Sequence, residues 1–535
     1  MRKTITLNNH WEFCKDESLR RMPWDACCEE VQLPHTWNAT DGQDGGNDYF
    51  RGLCWYARKL LRSELPKADR YYLEFQGANA SACVYLNDRC LARHDGGYSI
   101  WRVEITDALQ EENRLIVTVD NAANDRVYPQ KADFTFYGGL YRDVKLIAVS
   151  QTHFDLKHGG TPGIKVTPVI AGTDAEIQIE TALTDPKPGQ SLLYVICGAD
   201  GAPVAQKTTG VEETRVSLRI PHVHLWHGRV DPYLYHASIT LMEDGQILDA
   251  VGTDFGCRTF RIDPQKGFIL NGKPYPLHGV ARHQDWKGIG NALLPEHHDT
   301  DMELICEMGA NTIRLAHYQH DQYFYDLCDR KGIVVWAEIP YISMHMENGF
   351  ENTLSQLTEL ITQNYNHPSI VVWGLSNEIT VGGDALPGLV ENHKALNELA
   401  HRLDPTRKTV LVAVSTCDIH HPTIHITDAV SYNHYFGWYG GETDMYGRWL
   451  DQFHRAYPNR PIGLSEYGCE ALDWHTSNPQ QGDYTEEYQA HYHEELIRQL
   501  FSRPYLWATH VWCMLISGRT QGRRAAKTAR TTRAL

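Results

Sequence analysis

From Arg261 onward the sequence alternates between stretches of helical periodicity and short apolar runs, and this repeat constrains the fold most. "DTDMELICEMG" leads into "NTIRLAHY", "DQYFYDLCDRKG" into "IVVWAEIP", and "LSQLTELITQNYNHP" into "SIVVWGLSNE". The segment "LPGLVENHKALNELAHRLD" sets Leu386, Leu389, Val390, Leu396, Leu399 and Leu403 on one helical face before "KTVLVAVS". Then come "AVSYNHYFGWY", "RPIGLSEYG" and "LWATHVW". Apolar strands separated by helices cannot pair as hairpins, so they form a parallel sheet. Counted from "PLHGV" there are eight, in about the 250 residues that a (β/α)8 barrel occupies.

The chain before this point reads differently. Residues 1–150 are short apolar runs punctuated by Asn-Asp and Gly-Gly turns, as in "YYLEFQGA", "ACVYLNDRCLARHDGGY" and "RLIVTVDN". That pattern predicts an all-β sandwich. Residues 151–262 alternate apolar and polar with period 2 ("AEIQIETALT", "TRVSLRIP", "LYHASITLMEDGQILD"), the size and pattern of a second, immunoglobulin-like sandwich. "GFILNGKPYPLHGV" then predicts a hairpin with an Asn-Gly turn and a buried strand. The expected organisation is two sandwiches followed by a barrel over 263–514, with 515–535 set apart.

Bulk composition narrows the function. Apolar residues make up 42% of the 535-residue chain and the net charge is −17, so large cores are expected and polyanionic partners are not. This excludes nucleic acid and anionic membrane as expected partners and suits a small neutral substrate. "MRKTITLNNHWEFCKDE" has no apolar segment of a signal peptide, and no run is long enough to span a bilayer. Thirteen scattered cysteines without a CxxC pair predict reduced thiols in a cytoplasmic protein. The His-His and His-x-His pairs (His222–His224, His297–His298, His420–His421) read as solvated groups rather than metal ligands.

In a barrel of this kind catalytic groups sit at the C-terminal ends of the strands. Those ends supply His283, Arg314 and His317, Glu338, Asn377 and Glu378, Tyr435, Glu466 and Trp512. No Ser-His-Asp set and no phosphate-binding glycine loop accompanies them. Two carboxylates on opposite strands suit glycoside hydrolysis, one as acid/base and one as nucleophile, and a separation of roughly 5–5.5 Å gives retention. The acid requires a raised pKa, which burial beside a second carboxylate supplies. Trp512 offers a platform for a sugar face, and Asn377 a bond to the 2-hydroxyl. Taken singly, each has a plainer reading: a salt-bridged glutamate, a packed aromatic, a structural histidine. Their convergence on one mouth favours chemistry.

Together these residues sit in motifs that resemble glycoside hydrolase family 2, which contains the bacterial β-galactosidases and β-glucuronidases. The motifs include "LPHTWN", "YFRGLCWYARKL", "DFTFYGGLYRDV", "FILNGKPYPLHGVARHQDW", "GANTIRLAHY", "NHPSIVVWGLSNE", "NHYFGWY" and "SEYG". The resemblance implies a jelly-roll sugar-binding-like domain, an immunoglobulin-like sandwich and a TIM barrel. It implies Glu378 as acid/base, Glu466 as nucleophile and Tyr435 as the hydroxyl bonded to the nucleophile. Asn377, His283, Arg314 and His317 match positions lining the sugar subsite, Trp512 its aromatic floor, and Asp133 an aspartate reaching from the jelly roll to sugar hydroxyls. Homo-oligomers are common in the family, but nothing in the sequence specifies an interface. A Glu-x-His metal pair after the third strand is missing; His345 and Glu347 substitute poorly, and no metal or other cofactor is expected. "CEALDWHTSNPQQGDYTEEYQ" with "YLWATHVW" looks closer to the galactosidase branch. A retaining exo-β-galactosidase is therefore the first expectation and a β-glucuronidase the alternative.

The last nineteen residues, "SGRTQGRRAAKTARTTRAL", hold six basic side chains and no acidic or aromatic one. The family pattern stops near Met514. Restoring one base after the Met514 codon allows the tail to read approximately FDFGADAREEGGKNGTNNKGL, which is what relatives look like there. A frameshift is thus the expected origin of the tail, with the rest of the loop after strand 8 and the eighth helix lost. A remnant that at most binds sugar is the corresponding non-enzymatic alternative. In glucuronidases the lost loop carries an Asn-x-Lys feature that holds the glucuronate carboxylate.

Overall fold

The computed structural model describes residues 1–15, 28–41, 49–383, 387–471 and 483–512. The expected basic tail, the frameshift point and the eighth barrel helix lie outside these.

The first sandwich packs two antiparallel sheets. One runs Lys3–Thr6, Val144–Val149, Arg70–Phe75, Trp101–Glu104 in spatial order. The other runs Glu29–Val31, Trp11–Cys14, Leu53–Leu61, Glu112–Asp120, Ser81–Leu86, Arg89–Asp95. Alternate residues face inward, as in Ser81–Leu86, where Ala82, Val84 and Leu86 are buried. A second sandwich opposes a three-stranded sheet (Ile164–Ala171, Asp174–Thr181, Arg215–Ile220) to a four-stranded one containing Ser191–Cys197 and Tyr235–Glu243. None of the described cysteines is disulfide-bonded.

The hairpin forms as its turn chemistry requires: Asn271 (φ 49°) and Gly272 (φ 78°) are both left-handed. Its Phe268 and Leu270 pack with Leu277, Trp336, Val372, Val410 and Trp507 to plug the barrel floor.

Eight parallel strands close the barrel: β1 (His278–Arg282), β2 (Thr312–Leu315), β3 (Val334–Glu338), β4 (Ile370–Asn377), β5 (Lys408–Val414), β6 (Ala429–Asn433), β7 (Ile462–Tyr467) and β8 (Leu506–Val511). β8 pairs with β1 through His278 and Thr509, which completes the circle. Every residue of β2, β3, β4, β6, β7 and β8 is buried, because helices cover the outside and side chains fill the inside. The helices are α1 (Pro295–Glu307), α2 (Gln322–Lys331), α3 (Phe350–Asn364), α4 (Leu389–Leu403), α5 (Met445–Ala456) and α6 (Glu486–Phe501). Local signals bound them. In α2 the Asp321 side chain accepts from Tyr323 N–H, and Gly332 ends the helix at φ 71°. β5 and β6 are joined by a 3-10 turn, Pro422–His425, in place of an α-helix.

One long excursion of the first sandwich, between Asp120 and Val144, crosses to the C-terminal mouth of the barrel. Arg142 donates to Gln284 Oε1 (3.2 Å) and the Gln319 carbonyl (3.0 Å). Tyr137 donates to Asp285 Oδ2 (3.0 Å), and Phe134 packs on the rings of His283, His317 and Tyr318.

Candidate active site

A cavity of about 670 Å³ opens at this mouth. Its wall includes Asp133, His317, Asn377, Glu378, Tyr435, Glu466 and Trp512. Residues at or just beyond the ends of several barrel strands gather here because a parallel barrel points all its C-terminal ends the same way.

Glu466, near the end of β7, is 5% exposed. Arg314 Nη1 donates to its Oε1 at 2.7 Å, and the Tyr435 hydroxyl donates to its Oε2 at 2.6 Å. Burial raises this carboxyl, while the Arg314 cation and the Tyr435 bond oppose the rise. Glu378 follows β4 in the left-handed region (φ 48°, ψ 32°), a conformation that costs about 1 kcal/mol or more for a residue with a Cβ. Its amide is tied to the Val412 carbonyl at 2.9 Å. Its carboxyl accepts from Asn433 Nδ2 at 2.9 Å. Burial, then the charge of Glu466, pushes Glu378 up to about 8. The two carboxylates differ because Glu466 has a cation and a hydroxyl, and Glu378 has an amide. Both carboxyls are raised by burial, but the rise of Glu466 is opposed by a cation and a hydroxyl, while Glu378 is left to hold a proton near neutrality.

Beneath the cavity lies Arg314, 0% exposed. Besides Glu466 it donates to Glu338 through Nε (3.0 Å) and Nη2 (2.9 Å), and to Asn377 Oδ1 (2.8 Å). Asn377 is therefore oriented with its Oδ1 on the guanidinium. His317 stacks on Trp512, ring centroids 5.1 Å apart, with Nδ1 at 2.8 Å from Glu338 Oε1. Burial holds its pKa well below the ordinary value, so the ring is neutral. His283 stands behind these rings rather than on the cavity wall, 3.2 Å from the Tyr318 hydroxyl and edge-on to Trp512. Asp133 comes from the sandwich excursion, is exposed and lines the cavity beside Lys131.

Sequence reasoning missed Asn433, the amide that bonds Glu378. It lies two residues before Tyr435, and Ser465, just before Glu466, donates to its Oδ1 at 2.8 Å. That i, i+2 placement at a strand end was a usable signal. Glu338 was read as a strand-end carboxylate without a task, though it is the principal partner of Arg314.

His345 bonds Tyr341 (2.7 Å). Among the described residues, one cluster has ligand atoms close enough for a metal: Asp326, Asp329 and His367. These belong to α2 and the turn before β4, away from the mouth, and His367 Nδ1 lies on Asp329 Oδ2 at 2.6 Å.

Three family profiles match the chain: "Glycosyl hydrolase 2 galactose-binding domain-like" at 51–151, "Glycosyl hydrolases family 2" at 162–258, and its TIM barrel domain at 261–512. A β-glucuronidase of Bacteroides fragilis is 38% identical over 556 residues, spanning 98% of this chain and 78% of the relative. The chain belongs to glycoside hydrolase family 2. It is a glycosidase by family, with the sandwich and closed-barrel architecture that the sequence led us to expect. The structure of an FMN-binding β-glucuronidase from Facaelibacterium prausnitzii L2-6 superposes with a TM-score of 0.94 at 42% identity, covering 100% of this chain and 84% of that one. A putative β-galactosidase from Bacteroides fragilis superposes at 0.90 with 34% identity, over 96% and 80% of the two chains. No helix among the described residues is long and apolar enough to cross a membrane.

Proposed function

We propose that this family 2 member is a retaining, exo-acting β-glucuronidase. The observation that carries glycoside cleavage is the pairing, on one cavity, of Glu378, pushed up to about 8, with Glu466, held by Arg314 and Tyr435. In the first step Glu466 attacks the anomeric carbon and displaces the aglycone. Glu378 gives its proton to the departing glycosidic oxygen. In the second step Glu378, now ionised, takes a proton from water, whose oxygen attacks the same carbon and expels Glu466. Tyr435 and Arg314 favour the ionised form of Glu466 and aim it. His317 and Asp133 face the sugar hydroxyls and Trp512 stacks on the ring. The sandwich excursion supplies a wall of the cavity, which favours a terminal sugar over an internal one.

The choice of glucuronide over the galactoside first expected is supported by the names of the relatives: the Bacteroides fragilis relative at 38% identity and the structure that superposes at a TM-score of 0.94 are both named β-glucuronidases. Parallel assays on chromogenic β-glucuronide and β-galactoside decide the matter. Preferential cleavage of the glucuronide is expected, and cleavage of the galactoside alone overturns the assignment.

A further inference from the structure

A third carboxylate enters the barrel mouth and has no step in the two-carboxylate cycle. Glu338, at the end of β3, is 1% exposed. A buried carboxylate is costly to keep unless its bonds are made, and here two of them come from one partner in a fork: Arg314 Nε at 3.0 Å and Nη2 at 2.9 Å. The opposite nitrogen, Nη1, reaches Glu466 at 2.7 Å. One guanidinium therefore stands between two carboxylates, with its bidentate edge on Glu338 and a single N–H on Glu466. The adjoining strand makes room for this. A Cβ on Gly374 of β4 would lie 2.4 Å from the Glu338 Cβ, so only glycine leaves the space.

This division of one positive charge has a chemical result. A carboxylate fully neutralised by arginine is a poor nucleophile and a good leaving group. One that shares the cation with a second carboxylate keeps more of its basicity. Glu338 also determines what His317 can do. As the acceptor of two Arg314 bonds, it takes the Nδ1–H of the neutral imidazole (2.8 Å), a nitrogen that Arg314 Nη2 also approaches at 3.1 Å. Nε2 is then an acceptor, 3.9 Å from Glu466 Oε1, on a ring that lines the cavity.

We propose that Glu338 is a positioning residue that splits the Arg314 charge between two carboxylates, so setting the nucleophilicity of Glu466, and fixes His317 as a hydrogen-bond acceptor for a sugar hydroxyl. The inference rests on Glu466 being the nucleophile. The groups facing Glu466 are Arg314 in β2, His317 after it, Glu378 after β4, Tyr435 after β6 and Asp133 from the sandwich excursion. Glu338→Gln alters none of these residues and removes the charge that competes with Glu466 for Arg314.

The test is Glu338→Gln, followed through the pH profile of kcat/KM and through pre-steady-state rates of glycosyl-enzyme formation and breakdown. The acid limb is expected to move to lower pH by about one unit, because Glu466 then has Arg314 more nearly to itself. Formation of the glycosyl-enzyme slows by about 10- to 100-fold, while its breakdown is not slowed. An unmoved acid limb, or equal slowing of both steps, overturns the proposal in favour of a purely structural role. Should Glu338→Gln fail to fold, Glu338→Met, a neutral side chain of similar length, gives the same reading, and an unmoved limb there has the same force. Glu466→Gln separates the premise from the inference: if that variant still turns over, the nucleophile assignment fails first.

Discussion

The carboxylate pair divides its labour through nearest neighbours only. Glu378 must be protonated to act as acid, and its pKa lies at about 8. Activity should therefore hold up to neutrality and fall as pH rises through that value, measured as the basic limb of kcat/KM. Asn433 is the bond that restrains the rise. Asn433→Ala should shift the basic limb upward and lower kcat/KM by about tenfold, the equivalent of one lost hydrogen bond. If the limb instead moves down, Asn433 is not what tunes Glu378. Glu466→Gln should cut turnover by about 10⁴-fold while sugar binding persists, read by calorimetry with a product monosaccharide.

At the level of strands, the apolar runs that became β2, β3, β4 and β7 were legible because a parallel barrel buries both faces of each strand, and nothing else explains "IVVWGL" or "VVWAE" beside helical repeats. The 3-10 link between β5 and β6 was less legible: "TCDIHHPTIHITD" has Pro and β-branched residues where a helix would need straight side chains. Strand ends gave Glu378, Glu466 and Tyr435, since position on a strand fixes where a terminal side chain must go. They did not give the sharing of Arg314 between Glu338 and Glu466, which depends on rotamers and on a missing Cβ in the neighbouring strand. Nor could residue patterns place Asp133 at a barrel more than a hundred residues further on; that came from family resemblance. Gly374→Ala tests the strand-level reading. Its Cβ meets the Glu338 and Trp336 side chains at 2.4 and 2.6 Å, and the forced displacement should destabilise the fold by about 1–3 kcal/mol in denaturant unfolding and lower activity more than stability alone explains.

Across the whole molecule, the first sandwich and the barrel are fastened at charged points as well as aromatic ones. His94 of the sandwich meets Glu359 of α3 at 2.7 Å, and Ser99 bonds the other carboxylate oxygen. Burial pulls the His94 pKa down, but the Glu359 charge and bond outweigh it and the net direction is up. A histidine raised in the folded state contributes its stabilisation fully below its ordinary pKa near 6.5 and loses it as pH rises through the raised value. The melting temperature of the native protein should therefore exceed that of Glu359→Gln by most in mildly acidic buffer, with the gap narrowing in alkaline buffer. A gap that widens with pH contradicts the pairing.

The sandwich excursion has one more consequence, which concerns synthesis. Phe134, Tyr137 and Arg142 leave the ribosome well before the segments that receive them, His283 to Gln319, and long before the β7 strand that carries Glu466. Domains emerging first tend to fold first, so the early sandwich must present an aromatic arm with no dock until the barrel is made.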